Sequence, residues 1–322
     1  MCEGRTRPME TTGHRAVLLK EAVDALDVKA GGRYVDGTLG RAGHAKEILA
    51  RGGVVLGIDR DDQAIREVGA LAEAGAEGFK GLTVAKGNHG DIGEIARKNG
   101  WESADGILLD LGVSSPQLDE AGRGFSFLRD GPLDMRMDRS QGLTAADLVN
   151  KESAERLEEI FRELGEEPQA RRIANAITKE RGPRPFLTTV QLADFVERLV
   201  GRRGAHHPAT RVFQALRMKV NDEMGELMRA LEGGLGLLGP GGRFVVITFE
   251  SLTDRVVKRF FAAHVGKSVS LQQGGARWEG ELPKALPVTK GAVTASEEEM
   301  RANARSRSAK LRAIQIEGKE SR

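Results

Sequence analysis

Asp36, Asp59 and Asp110 are the residues of this 322-residue chain whose spacing first suggests chemistry. Each closes a short apolar run of the kind that forms a buried strand: Tyr34-Val35, then Val54 to Ile58, then Ile107 to Leu109. Ligands of an open parallel sheet bind outside the carboxyl ends of its strands. Three carboxylates at one such edge repel each other unless a cation or a positively charged ligand sits among them. Helix N-capping would explain any one of these acids and explains all three poorly. Asp36 is followed by Gly37-Thr38-Leu39-Gly40-Arg41-Ala42-Gly43-His44, a glycine-rich turn that lets a cofactor approach the backbone. Asp59 lies about 20 residues beyond, where a carboxylate can accept both hydroxyls of a ribose.

Two cofactors share this design, a dinucleotide and S-adenosyl-L-methionine. The dinucleotide fingerprint is Gly-x-Gly-x-x-Gly over a helix N-terminus that takes a pyrophosphate. Gly40 and Gly43 match its last two glycines, but Thr38 stands at the first. Asp36 at the mouth of the turn repels pyrophosphate and attracts the amino group and sulfonium of S-adenosyl-L-methionine. The methyl donor is therefore favoured over a nicotinamide cofactor. A ligand-free structural turn is the plainer alternative.

The elements that must position these residues follow from periodicity. Helices are expected over Glu21 to Leu26, Ala45 to Leu49, Arg60 to Ala74 and Ile92 to Lys98, and strands at Leu82 to Val84 and Ala104 to Asp110. Asn88 or His89, past the third strand, stand where an adenine would lie. The polar loop Leu111 to Asp119 follows the fourth strand. Arg123 to Phe127 and Gly131 to Met137 read as an active-site loop or a structural Ω-loop. Four helices come next without an intervening strand: Thr144 to Val149, Ser153 to Leu164, Gln169 to Glu180 and Thr189 to Val200. The sheet pattern then resumes. A helix over Leu235 to Leu238, a turn at Gly239 to Gly242 and a strand over Arg243 to Phe249 are expected, with Lys310 to Ile316 as a final edge strand. This predicts an α/β fold, residues 1–139 and 206–322, with an all-helical insertion at 140–205.

Composition narrows the classes. Hydrophobic residues are 39% and charged residues 30%, as in soluble globular proteins, and the net charge is only +2. A nucleic-acid surface must therefore be a local patch. The stretch Gly201 to Val220 offers one, with Arg202, Arg203, His206, His207, Arg211, Arg217 and Lys219. Adjacent histidines invite a metal, but no third ligand stands at suitable spacing, and none is expected. Cys2 is the sole cysteine, so no disulfide framework exists. No apolar run approaches the ~18 residues of a membrane span. Residues 1–13 lack the apolar core of a signal peptide, read as disordered, and make cytoplasm the simplest location. His14 reads as an exposed terminal residue.

Several longer motifs carry a family resemblance. Asp36 to His44, Asp105 to Asp119 (DGILLDLGVSSPQLD), Arg123 to Phe127, Gly131 to Met137 and His207 to Arg217 resemble the bacterial MraW family, the cytosine-N4 methyltransferases of small-subunit ribosomal RNA. The resemblance spans about residues 14–316. It implies a class I S-adenosylmethionine-dependent methyltransferase fold, with a donor site at Ala42, Gly43, His44, Asp59, His89, Asp110 and Gln117 beside Asp36. It further implies N4 methylation of a cytidine in the decoding region of 16S rRNA, with the small ribosomal subunit as partner and monomer or homodimer left open. This chain departs from the family pattern at Ala16, Ala42, His89, Glu250 and Ala304. The acceptor of the amine's protons is Asp110 or the Ser114 to Gln117 loop, Ser114 and Ser115 included. Arg136, His207, Arg211, Arg217 and Arg305 are the candidate RNA contacts. A nicotinamide oxidoreductase and a ribosome assembly factor with a vestigial donor site are the competing classes.

Overall fold

A computed structural model describes residues 16–113, 115–140, 142–202, 204, 207–271 and 275–318. The expectations for residues 1–13, Cys2 and His14 lie outside these. The first half alternates helix and strand: α1 (Leu19–Leu26), β1 (Arg33–Asp36), α2 (Gly43–Ala50), β2 (Val54–Asp59), α3 (Asp62–Glu73), β3 (Leu82–Lys86), α4 (Ile92–Lys98), β4 (Ala104–Asp110) and the short α5 (Ser115–Asp119). Six helices follow: α6 (Ala145–Lys151), α7 (Ala154–Glu163), α8 (Ala170–Glu180), α9 (Thr189–Val200), α10 (Thr210–Val220) and α11 (Glu223–Leu237). The chain then returns to the sheet with β5 (Leu238–Thr248), α12 (Ser251–Val265), β6 (Lys267–Ser270), β7 (Ala276–Glu279), β8 (Ala285–Pro287), β9 (Val293–Thr294), α13 (Glu297–Ala302) and β10 (Lys310–Ile316).

The main sheet runs β3-β2-β1-β4-β5-β10-β8, with β9 beside β10. Strands β1 to β5 are parallel, and β10 is antiparallel to β5. β1 is the pivot: β2 and β3 lie on one side of it, β4 and β5 on the other. A parallel sheet opens a crevice at such a reversal. Register places Asp36 opposite Gly57 and Leu108, two residues short of Asp59 and Asp110. All three acids thus share one sheet edge. The strands bury Val35, Val55, Leu56, Ile58, Ile107, Leu108 and Leu109, each side chain contributing about 1.5–3 kcal/mol on leaving water.

Three expectations need correction. Lys310 to Ile316 is no edge strand, because β5 pairs with one side of it and β8 with the other. Its two faces explain this: Leu311 and Ala313 pack with Val245, while Ile314 and Ile316 pack with Phe244. The helix expected over Leu235 to Leu238 is α11, 15 residues long. Gly225, Gly233, Gly234 and Gly236 depress its helix propensity, which hides it from pattern reading. Gly234 is there for packing, since a Cβ would come within 2.8 Å of the Phe244 ring. The Gly239 to Gly242 turn interrupts β5 instead of preceding it: Ala104 pairs with Leu238 and Gly106 with Arg243, so the intervening residues loop out.

The helical run has its own core, around Phe161, Ile173, Ile177, Phe186, Leu192 and Val196. Thr144 and Asp147 form a capping box on α6, and Ser153 and Thr188 cap α7 and α9, each cap contributing about 1 kcal/mol. That core also takes Phe125, Leu133, Met135 and Met137 from before residue 140, and Val212, Phe213 and Leu216 from after 205. Glu166, in the turn between α7 and α8, reaches back to the sheet side. It accepts from Ser251 Oγ and pairs with Arg255, each at 2.8 Å. No described helix is long and apolar enough to cross a membrane.

Candidate active site

A cavity of about 450 Å³ opens at the carboxyl edge of β1, β2, β4 and β5, within the size range of small-molecule sites. The turn after β1 forms its floor. Backbone bonds lace this turn to the neighbouring strands: Gly37 N–H donates to Leu108 O at 2.9 Å and Leu39 N–H to Ile58 O at 2.9 Å. Gly40 N–H donates to Asp59 Oδ2 at 2.8 Å. A Cβ at Gly37 would meet Leu109 at 2.5 Å, and one at Gly43 would meet Ala16 at 2.8 Å. The glycines are thus required by protein packing as well as by a ligand. Ala42 adopts φ 60, a left-handed conformation that costs an L-residue roughly 1–2 kcal/mol, and no side chain caps α2 behind it.

Gly43, His44, Asp59, His89, Asp110 and Gln117 all line the cavity. Asp36 and Ala42 lie buried beneath the turn. Asp36 Oδ1 accepts from Thr38 N–H at 3.1 Å. Burial above all, with the like charges of Asp110 and Asp59, pushes the Asp36 carboxyl up to about 6. Asp59 is raised by burial too, against the N–H groups of Asp61 and Gly40. Asp61 N–H donates to its Oδ1 at 2.9 Å, and each Asp59 oxygen keeps a further lone pair for a ribose hydroxyl. Asp110 N–H donates to Thr38 Oγ1 at 2.6 Å, while Asp110 Oδ1 is buried with no hydrogen-bond partner among the described residues. Burial pushes the Asp110 carboxyl up to about 7. His89 is pushed down to about 3 by burial and by Arg60 and Arg229, so it presents a neutral ring. His44 is lowered by burial, and its Nε2 donates to Val17 O at 3.1 Å.

These residues fit a donor carrying ammonium and sulfonium charges. Asp110 brings an unsatisfied buried oxygen, Asp59 a ribose acceptor and His89 a flat uncharged face. A pyrophosphate at the same turn would sit over Asp36.

Sequence reading missed a second layer. Asp61 caps α3 through Gln63 N–H at 3.0 Å and accepts from Gln117 Nε2 at 3.1 Å and Arg123 Nη1 at 3.0 Å. Burial alone would raise Asp61, but these bonds outweigh it and hold the carboxyl below its ordinary value. Gln117 therefore joins the loop after β4 to the tip of β2. At the far wall stand Phe249, Glu250 and Thr253 after β5, and Asn303, Ala304, Arg305 and Ser308 before β10. An acid-capped helix start was the only sequence signal for Asp61, and Glu250 stood out only as a departure from the family pattern.

The RNA candidates divide. Arg211 is exposed on α10. His207 stacks on Phe127 with ring centroids 4.6 Å apart and lies 3.4 Å from Glu197, which Arg202 also faces, so this stretch is less basic than it reads. Arg305 lines the cavity and pairs with Asp119 at 2.9 Å. Arg136 forks onto Asp134 at 2.8 and 3.0 Å, holding its own loop. Arg217 is corrected: at the cavity wall, with its side chain 11% exposed, it is held between Glu223, at 2.7 Å, and Glu250, at 2.8 Å, which occupy its charge within the protein. Arg203, His206 and Ser114 lie outside the described residues, and Ser115 opens α5.

The chain has close relatives. The sequence profile described as the MraW methylase family matches residues 11–317. Proteins named ribosomal RNA small subunit methyltransferase H share 46% identity over 308 residues in Symbiobacterium thermophilum (94% of this chain, 96% of that protein). In Brucella ovis the figure is 49% over 306 residues (93% and 86%). Among solved structures, an rRNA methylase from Streptococcus thermophilus covers 98% of this chain and 99% of its own at 10% identity, with a TM-score of 0.40. The sheet order and the family together give a class I methyltransferase fold with S-adenosyl-L-methionine as cofactor. With its profile match running almost end to end and its nearly half-identical relatives, the chain belongs to the MraW methylase family.

Proposed function

We propose that this protein methylates the N4 amine of a cytidine in the decoding region of 16S rRNA, acting on the small ribosomal subunit in the cytoplasm. Methylation of small-subunit rRNA is supported by the family and by the names of the relatives. The observation that carries the choice of an amine is Asp110. Its carboxyl stands at the β4 tip, lines the donor cavity and has one oxygen unpaired among the described residues. An exocyclic amine is a weak nucleophile because its lone pair is delocalised into the ring. A fixed acceptor for its protons concentrates that lone pair toward the incoming methyl, and positioning alone supplies several kcal/mol.

When bound, S-adenosyl-L-methionine supplies an electrophilic methyl on a cationic sulfur. Asp59 would hold the ribose hydroxyls, His89 would offer its neutral ring to the adenine, and the acids around the turn would hold the ammonium group. Asp110 is the catalytic residue that takes the amine's proton; the Ser114 to Gln117 loop is the alternative acceptor. A base within folded RNA must be unstacked and swung out to reach this depth. The helical unit, residues 140–205 with the flanking segments that share its core, grips the RNA backbone through Arg136, His207 and Arg211, with Arg305 at the cavity wall.

The test is incubation of unmodified 30S subunits with methyl-labelled donor, followed by nuclease mapping. A single labelled cytidine in the decoding region is expected. Label on another base or another position of cytosine, or none under conditions where the donor binds, would overturn the reading and favour an assembly factor with an idle donor site.

A further inference from the structure

We propose that His44 is a positioning residue for proton removal: its Nδ1 receives the hydrogen bond from Asp110 after that carboxyl has taken the proton of the target amine. This rests on the amine reading above. His44 Nδ1 lies 3.9 Å from Asp110 Oδ2, a small side-chain adjustment short of a hydrogen bond. Catalytic hydrogen bonds are often long in ligand-free structures and tighten in the complex.

The tautomer follows from the other nitrogen. Val17 O can only accept, so His44 Nε2 carries the hydrogen, and in the neutral ring Nδ1 is left as a bare acceptor. The ring is buried and fixed in the first turn of α2, where Ala16 presses on Gly43. The groups facing His44 are Asp36 on β1, Asp110 on β4 and Glu299 on α13, the last already held by Leu18 N–H at 2.8 Å. Asp36 also feels the like charges of Asp110 and Asp59. Burial outweighs this acidic company and keeps His44 below its ordinary value, so it stays neutral and able to accept.

Asp110 divides its two oxygens between roles. Oδ1 is buried among protein atoms, yet the side chain is 25% exposed, so Oδ2 is the oxygen that meets the cavity. In the transfer, the nitrogen lone pair forms the new N–C bond and the pair of the broken C–S bond stays on sulfur. The nitrogen then sheds one proton to Asp110 Oδ2. That proton, now on Asp110 Oδ2, points to His44 Nδ1, 3.9 Å away. It stays on Asp110 until product release admits water. A histidine that merely satisfies Val17 O would do none of this.

Two variants separate these roles. His44→Gln keeps a donor for Val17 O and loses the group at Nδ1; His44→Asn keeps a polar group near Nδ1 and loses the Val17 contact. Carboxyl-carbon NMR of the full chain, without donor or RNA, reads the titration midpoint of Asp110, and steady-state rates on 30S subunits read the pH profile. The midpoint should fall in His44→Gln and stay near wild type in His44→Asn. His44→Gln should also lower plateau kcat about tenfold. A midpoint that stays put or rises in a folded His44→Gln overturns the proposal. So does an Nδ1–H tautomer or an imidazolium at pH 7 in the wild-type chain, seen by imidazole-nitrogen NMR, which requires no variant to fold. A wild-type chain with the coupled titration that methylates no cytidine would instead sink the amine reading.

Discussion

Arg123 Nη1 meets Asp61 Oδ2 at 3.0 Å, and both side chains are almost wholly buried. Arg123 also donates to Met137 O at 3.0 Å, so a single guanidinium ties the loop of residues 120–137 to the tip of β2, beside the donor cavity. Arg123→Ala removes the only cation paired with Asp61 among the described residues. Destabilisation by about 3 kcal/mol is expected, measured by denaturant unfolding, with weaker donor binding as the loop loosens. Unchanged stability would mean that Gln117 and the backbone satisfy Asp61 unaided.

Asp110→Asn should lower kcat by about 10²–10⁴-fold, measured with the donor at saturation. The acting form is the carboxylate, so wild-type activity should climb with pH through about 7, where burial places this group. A flat profile between pH 6 and 8 would remove Asp110 as the proton acceptor.

The same shift has a stability consequence of opposite sign. The folded value lies above the unfolded one, so folding binds a proton, and the native state loses stability as pH rises from about 4 to 7. Asp110→Asn escapes that loss. Its melting temperature should exceed wild type at pH 8, with the gap closing below about pH 4.

Arg217→Ala leaves Glu223 and Glu250 facing one another without their shared cation, and should cost about 3–5 kcal/mol. Were Arg217 a phosphate contact instead, the variant would unfold normally and lose RNA affinity.

Arg211→Ala is the complementary case. It should leave the melting curve in place and weaken binding of small-subunit rRNA, with the slope of log K against log salt smaller by about 1. A slope identical to wild type would show that Arg211 touches no phosphate.

How much of this was legible follows from range. The acid-tipped strands and the turn after β1 could be read because their signals are local: apolar runs ending in Asp, and glycines at a bend. Helices α6 to α9 announced themselves through periodicity, and α6 and α7 also through the caps Thr144 and Ser153. Arg217 could not be read correctly, since an arginine in a basic stretch looks exposed until Glu223 and Glu250 arrive from α11 and from beyond β5. Asp61 and Gln117 are 56 residues apart, and only the fold shows that they meet. The length of α11 was hidden by its glycines, and the reason for one of them, the contact of Gly234 with Phe244 and Ile107, is tertiary.

Because β10 is threaded between β5 and β8, the last strand among the described residues is an interior plank of the sheet. Residues 303–308, which wall the cavity, immediately precede it. A nascent chain emerging from the ribosome therefore holds its acids and its turn well before the pocket has its final side. The pocket is therefore closed only when a strand far along the chain from the turn after β1 has docked between β5 and β8.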